Sequence, residues 1–206
     1  MWFFIKKIFQ LVIGIFIFSI SFSQSNISLK VSSLAMQASL DKNVDIYKNN
    51  LTENGKWLIE PGLVFSTEFF FVQRIATLKL IQGIYLDRAD KLSGFTHIGF
   101  NRRILKRWKH SFNIGIGTSI CYRKDWQIIE NYQTEDRYIK AENGWYYTFQ
   151  WLSFEIEYDY AIGKNTDLSI SINTIRPKTI SLAIGLRYWI SKKRKKRRGG
   201  CNCPQF

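Results

Sequence analysis

The chain has three cysteines and two histidines in 206 residues, too few for a disulfide framework or a Cys/His metal cluster. Cys121 stands alone in an apolar-alternating segment, and Cys201 and Cys203 share a tail, so an odd count in this layout is no disulfide framework. Cys201-x-Cys203 is too close for an easy intrachain disulfide and supplies only two of the four ligands a zinc site wants. No metal or other cofactor is expected, and an intermolecular bridge or a metal shared between two chains through these two thiols stays open. A run of the ~20 apolar residues that spans a bilayer as a helix is also lacking. The longest candidate, 8–20, is shorter and carries Gln10 and Ser19. Internal repeats and low-complexity linkers are absent, and the length suits one domain with a real core.

The opening MWFFIKKIFQLVIGIFIFSISFSQSN has two lysines, the short apolar stretch and then small residues, the pattern of a secretory signal peptide over 1–23. The apolar MWFFI before the lysines keeps an uncleaved anchor as the alternative. The formal net charge is +14, which would point to nucleic acid or anionic lipid. That charge is unevenly spread. Lys6, Lys7 and the seven consecutive residues Lys192, Lys193, Arg194, Lys195, Lys196, Arg197 and Arg198 hold nine of the positive charges, so the intervening body is only mildly basic.

From Trp57 onward apolar residues recur at every second position, the period of a strand. In TISLAIGLRYWI, Ile180, Leu182, Ile184, Leu186, Tyr188 and Ile190 face one way and Ser181, Ala183, Gly185, Arg187 and Trp189 the other. TDLSISIN sets Leu168, Ile170 and Ile172 against Asp167, Ser169, Ser171 and Asn173. In WLSFEIEYDY the apolar face is Leu152, Phe154, Ile156, Tyr158 and Tyr160, and the other holds Trp151, Ser153, Glu155, Glu157 and Asp159. HSFNIGIGTSICYR alternates likewise.

The second face decides the fold. A soluble sandwich would show long charged side chains there, meeting water. Here it is rich in Gly, Ser, Asn and Ala with sparse charges, which suits a narrow interior, while the apolar face carries aromatics at the segment ends. That is the pattern of a transmembrane barrel, with lipid outside and aromatic girdles at both interfaces. Eight segments emerge, at 27–36, 57–69, 76–86, 94–105, 111–123, 145–160, 166–173 and 179–190. NISLKVSSLAMQASL is taken as the first strand, with a short helix and seven strands as the alternative. Long gaps at 37–56 and 124–144 and a modest one at 87–93 alternate with short ones at 70–75, 106–110 and 161–165, as outer loops and periplasmic turns must. Only the outer gap 174–178 is shorter than expected. The sequence thus predicts an all-β, eight-stranded antiparallel up-and-down barrel over 24–190 and a disordered basic tail over 191–206.

The stretches GFTHIGFNRRILKRWKHSFNIGIGTSICYRKDW, WLSFEIEYDYAIG and SLAIGLRYWI resemble small, uncharacterised outer-membrane β-barrel proteins of the Bacteroidetes type. The resemblance covers roughly residues 57 to 206 and includes the short Cys-x-Cys-Pro ending. It implies the fold and the outer membrane of a Gram-negative bacterium, and it brings no reaction. Gly185, Tyr188 and Ile190 look like the signal by which the barrel-assembly machinery recognises its clients, although that signal normally ends a chain and here sixteen residues follow.

Parity sends Glu60, Glu68, Glu155, Glu157, Asp159 and Asp167 into the lumen with Lys79, His97, Arg103, Arg123 and Arg187. The interior of an eight-stranded barrel is just wide enough to be filled by side chains, and buried charges are tolerable when paired. A plugging network of ion pairs is therefore expected over a pore or a catalytic site. The enzymatic alternative is a barrel acting on lipid A or phospholipid acyl chains, with a Ser–His pair oriented by an acid. His97 and His110 have no serine at an even offset on their own strands; a cross-strand Ser119 for His97 stays open. Loop 124–144 mixes Trp126, Tyr132 and Tyr138 with both charge signs and reads as a cap over the barrel mouth ahead of a partner site.

The tail lacks interleaved aromatics, so the stacking platform for single strands is missing. With a signal peptide and an even strand count it ends in the periplasm, where its partners are lipid phosphates or another envelope component. No nucleic acid is expected there. A membrane-anchored protein whose tail binds nucleic acid is the remaining alternative. The expected partners are outer-membrane lipid and periplasmic or envelope proteins; no small-molecule ligand is identified.

Overall fold

The computed structural model describes residues 25–37, 43–44, 48–52, 56–72, 76–133, 138–141 and 144–190. The expected signal peptide and the tail, with its basic run, Cys201 and Cys203, lie outside these residues. Among the described residues nine strands follow one another: β1 Ser25–Gln37, β2 Trp57–Val72, β3 Ala76–Leu86, β4 Leu92–Arg107, β5 His110–Lys124, β6 Ile139–Lys140, β7 Trp145–Ala161, β8 Thr166–Asn173 and β9 Thr179–Trp189. All pairings are antiparallel between sequence neighbours, except that β5 pairs with β7 past the two-residue β6, and β1 pairs with β9. These pairings close an eight-stranded up-and-down barrel with no free edge through most of its height. Within the segment NISLKVSSLAMQASL the described residues, 26–37, form a strand, not a helix.

The alternation has the polarity expected in lipid. Outward residues such as Leu29, Val31, Leu63, Ile98, Ile116, Phe154, Ile184 and Leu186 are exposed, while inward Ser28, Ser66, Ser153, Ser169 and Ser171 are buried. From Ile180 to Tyr188 the outward face of β9 rises about 20 Å, allowing ~3.3 Å per residue and a tilt of ~40°, close to the ~25 Å apolar band of an outer-membrane barrel. Short turns gather at the end where β1 begins and β9 ends. The longer connections gather at the other end.

Four irregularities interrupt the alternation. They fall at Ser32/Leu34, Phe70/Val72, Arg103/Leu105 and opposite Gly117/Ser119. The last one corrects a sequence expectation. Gly117 pairs with Ser153 and Ser119 with Gln150, so Trp151 and Leu152 together oppose one residue of β5. A bulge of this kind shifts side-chain parity by one. Trp151, expected inside, is 79% exposed on the outer surface, and above it Tyr146 and Thr148 turn inward. The connection 124–144 is also less of a loop than expected, because β6 pairs with Tyr146 and Tyr147 and continues the wall upward.

Candidate functional site

The lumen holds its charges in layers. At mid-height Glu157 from β7 is fully buried and meets three cations from three other strands. Lys30 Nζ of β1 lies 3.1 Å from its Oε1, and Lys79 of β3 and Arg187 of β9 pair with it at close range. Lys79 also reaches Glu155 at 2.8 Å and Glu68 at 3.4 Å. Arg187 bridges Glu68 at 3.0 Å and pairs with Asp159. Neutral donors complete the acceptors: Asn26 donates to Glu68 at 2.9 Å, Ser169 to Glu157 at 2.6 Å and Asn113 to Asp159 at 2.7 Å. Six of the residues that sequence parity sent inward, Glu68, Lys79, Glu155, Glu157, Asp159 and Arg187, thus meet in one cluster. Serines and asparagines make it possible, since only small polar neighbours leave room for five strands to contribute long side chains to one level.

The other predicted residues stand apart from this cluster. Toward the short-turn end Arg103 packs over the rings of Phe70 and Trp189, with centroids 6.0 and 5.7 Å away, and Trp189 Nε1 donates to Asp167 at 2.6 Å. His97 is buried over two glycines that face each other across β4 and β5. A Cβ at Gly99 would lie 2.6 Å from its Nε2, and one at Gly117 2.8 Å from its Cε1. Ser119 is the register partner of His97, yet its hydroxyl engages Ser153 Oγ at 2.8 Å and the Ile175 carbonyl at 2.9 Å. The His97 Nδ1 has no hydrogen-bond partner among the described residues. The serine–histidine contact that lipid hydrolysis would need is therefore not made in this conformation.

Above the charged cluster the 174–178 turn enters the barrel. Ile175 is fully buried against Val64, Ile81, Phe95 and Cys121, forming an apolar plate across the lumen. Arg176 pairs with Glu60, packs 4.4 Å from the Tyr85 centroid, and is joined by Arg88, whose Nε lies 3.8 Å from Glu60. Gln150 and Thr174 lace the turn to β7: Gln150 Nε2 donates to the Thr174 carbonyl at 2.8 Å, and Thr174 N to the Phe154 carbonyl at 2.9 Å. A small cavity of ≈ 40 Å³ remains between Glu60, Arg176, Asp87 and Arg123.

The mouth itself is closed by Trp126, 3% exposed against Ala35, Leu58 and Ala89, with Tyr132 packed beside it. Arg123, predicted inside, sits here between the Trp126 and Tyr138 rings at 4.0 and 3.7 Å and donates to Tyr132 Oη at 2.8 Å. Asp87 anchors this cap. It accepts from the Ala89 and Lys91 amides, from Ser93 Oγ and from Trp126 Nε1, all within 3.0 Å. Burial raises its pKa above the ordinary value, against the pull of these four donors.

Sequence reasoning missed Lys30, Arg176, Arg88 and Asp87. Lys30 had a signal, since Asn26, Ser28 and Ser32 alternate with it on the polar face of β1. Asp87 had one too: an Asp followed by residues whose amides it can accept is a turn-capping pattern. Arg176 had none in its local periodicity, because it lies beyond the last alternating residue of β8.

No protein-family model matches the chain, and no curated protein sequence does either. Among solved structures, the chain is similar in shape to Ail, the attachment invasion locus protein of Yersinia pestis, at 12% identity over 81% of this chain and 98% of Ail, with a TM-score of 0.48. It is similar to Neisserial surface protein A at 10% identity over 81% and 96%, TM-score 0.48. The N-terminal β-barrel domain of Pseudomonas aeruginosa OprF gives 11% identity over 81% and 97%, TM-score 0.48.

Proposed function

We propose that this chain is a non-enzymatic integral outer-membrane barrel with a structural or accessory interaction role, of the Bacteroidetes type that its sequence resembles. The observation that carries this reading is the filling of the lumen at three successive levels: the ion-paired cluster around Glu157, the apolar plate around Ile175 and the Trp126 cap. A lumen filled in this way leaves the apolar wall for lipid and the outer loops for contact with other molecules. The lumenal charges then act as a plug that fixes eight strands against one another. The basic residues Lys192 to Arg198 are assigned to lipid phosphates or another envelope polyanion on the periplasmic side, and Cys201 and Cys203 to a link between chains.

Three measurements test this. Sarkosyl-resistant fractionation with heat-modifiable gel mobility should place a folded barrel in the outer membrane, and a soluble or inner-membrane product would overturn that placement. Planar-bilayer recording should give no steady single-channel conductance; discrete open steps would refute the plug. Labelled lipid A incubated with the purified barrel should be returned intact, and turnover would instead support the lipid-acting alternative.

A further inference from the structure

The two ends of the barrel differ in charge. At the long-loop end, exposed acids such as Asp90 and Glu130 mingle with Lys91 and Lys124. At the short-turn end Arg102, Lys106, Arg107, Lys109 and Lys164 are all exposed, whereas the carboxylates at that level, Asp159 and Asp167, point inward and are buried. Among the described residues this end therefore presents one sign of charge.

The cations are combined with apolar groups in a specific order. The β4–β5 hairpin carries Ile104 and Leu105, each more than half exposed, and turns at Trp108, which is 90% exposed with a φ of 54°. Beside it His110 Nδ1 meets Tyr158 Oη at 2.6 Å, and Lys109 Nζ lies 5.9 Å from the Tyr160 ring centroid. Tyr158, Tyr160 and Tyr188 form the aromatic level expected where hydrocarbon gives way to headgroups. Tyr158 pairs with Phe112, and Arg107 pairs with His110, two residues further out. Two steps of a tilted strand rise about 5 Å. The headgroup layer is about 5–7 Å deep on each side of the hydrocarbon. Arg107 therefore stands at phosphate depth, with Lys109 and Lys164 in the turns beside it, whereas Arg102, opposite Ile114, is rooted on the membrane side of the tyrosines and meets a phosphate by extending its long side chain outward.

We propose that this collar is a binding surface for anionic glycerophospholipid headgroups. Arg102, Arg107, Lys109 and Lys164 take the phosphates, while Ile104 and Leu105, which precede Arg107 on β4, face the first acyl carbons and Trp108 at the tip lies among the headgroups. The inference rests on the barrel standing in lipid and is independent of the contact role proposed above. It is also independent of the tail.

The test uses the full mature chain in nanodiscs of phosphatidylcholine alone or with added phosphatidylglycerol, read as lipid retained in native mass spectrometry. Wild type should retain phosphatidylglycerol preferentially. The variant R102Q/R107Q/K109Q/K164Q should lose about fivefold in that preference per cation removed at low salt. Heat-modifiable mobility in phosphatidylcholine reports whether the variant is folded, and R102K/R107K, which keeps the charge, should retain the preference. An undiminished preference in the folded neutral variant overturns the proposal, as does full loss in the lysine variant. A wild type without lipid preference whose collar variant instead stops binding peptidoglycan sacculi would assign the surface to a polymer and equally overturn it.

Discussion

Replacing Arg187 with Gln removes the cation that ties three carboxylates from two strands to β9. Arg187 is 1% exposed and pairs with Glu68, Glu157 and Asp159, so its loss leaves Glu68, Glu155, Glu157 and Asp159 with Lys30 and Lys79 as their ion-pair partners among the described residues. Breaking one partner of a buried pair costs about 3–5 kcal/mol, mostly because a charge is stranded without a counter-ion. Three pairs do not triple that figure, since Lys79 and the neutral donors absorb part of the change. Against a total stability of about 5–15 kcal/mol the loss is large. At roughly 2–4 °C per kcal/mol for a chain of this size, the midpoint should fall on the order of 10 °C. The assay is the temperature at which the folded band converts to the unfolded one on a gel. The double variant R187Q/D159N should recover part of the loss, because Asp159 pairs with Arg187 and is the carboxylate that the single variant strands. A shift below about 2 °C, or one that strong salt abolishes, would mean the lumen is wet and screened, and the plug reasoning would fail.

Lys30→Met should cost less than Arg187→Gln by the same assay, because the Lys30 ammonium has one carboxylate partner, Glu157, and that partner keeps Lys79 and Arg187. Asp87 gives a pH dependence with a definite sign. Its folded pKa lies above the ordinary aspartate value of 3.8, so between the two values the folded turn binds more proton than the unfolded one. Its contribution to mouth closure is therefore greatest below about 3.8 and declines as pH rises through the elevated folded value. Quenching of Trp126 fluorescence by a soluble quencher should rise across that window in wild type and stay flat in Asp87→Asn. Gly117→Ala should lower stability by about 1–3 kcal/mol, since the new methyl meets the backbone of β4 at Ile98 and Gly99 and then the His97 ring in a lumen that cannot expand; unaltered thermal mobility would show that the β4 backbone yields there.

Strand positions were legible because each strand separates lipid from lumen. That separation forces the period of two that the sequence displays. The predicted segments 76–86 and 166–173 coincide with β3 and β8, and the others differ by a few residues at their ends. Legibility failed where the backbone departed from that period. Trp151 was assigned inward by parity, but the bulge it shares with Leu152 places both outside, and nothing in WLSFEIEYDY marks the extra residue. Ile139–Lys140 is too short to show alternation, and it exists because β7 continues upward past β8 and has an edge to fill.

The entry of Ile175 and Arg176 into the lumen follows from strand lengths more than from local pattern. β7 has 17 residues, whereas β8 has eight and β9 has 11. Paired from the same short-turn end, β8 stops about halfway along β7, with Asn173 opposite Glu155. A turn at that height faces lipid on one side and lumen on the other, so its backbone groups need protein partners. Bending inward supplies them. The Ile175 carbonyl accepts from Ser119, and Thr174 and Gln150 close the notch against β7. The same bend delivers an arginine to the buried Glu60, whose other cation, Arg88, stands off at 3.8 Å. The unequal segment lengths, 16 residues for 145–160 against eight for 166–173, were already visible in the sequence. An outer gap shorter than its neighbours, joined to so short a strand, is therefore a signal that the connection plugs the barrel from within its wall.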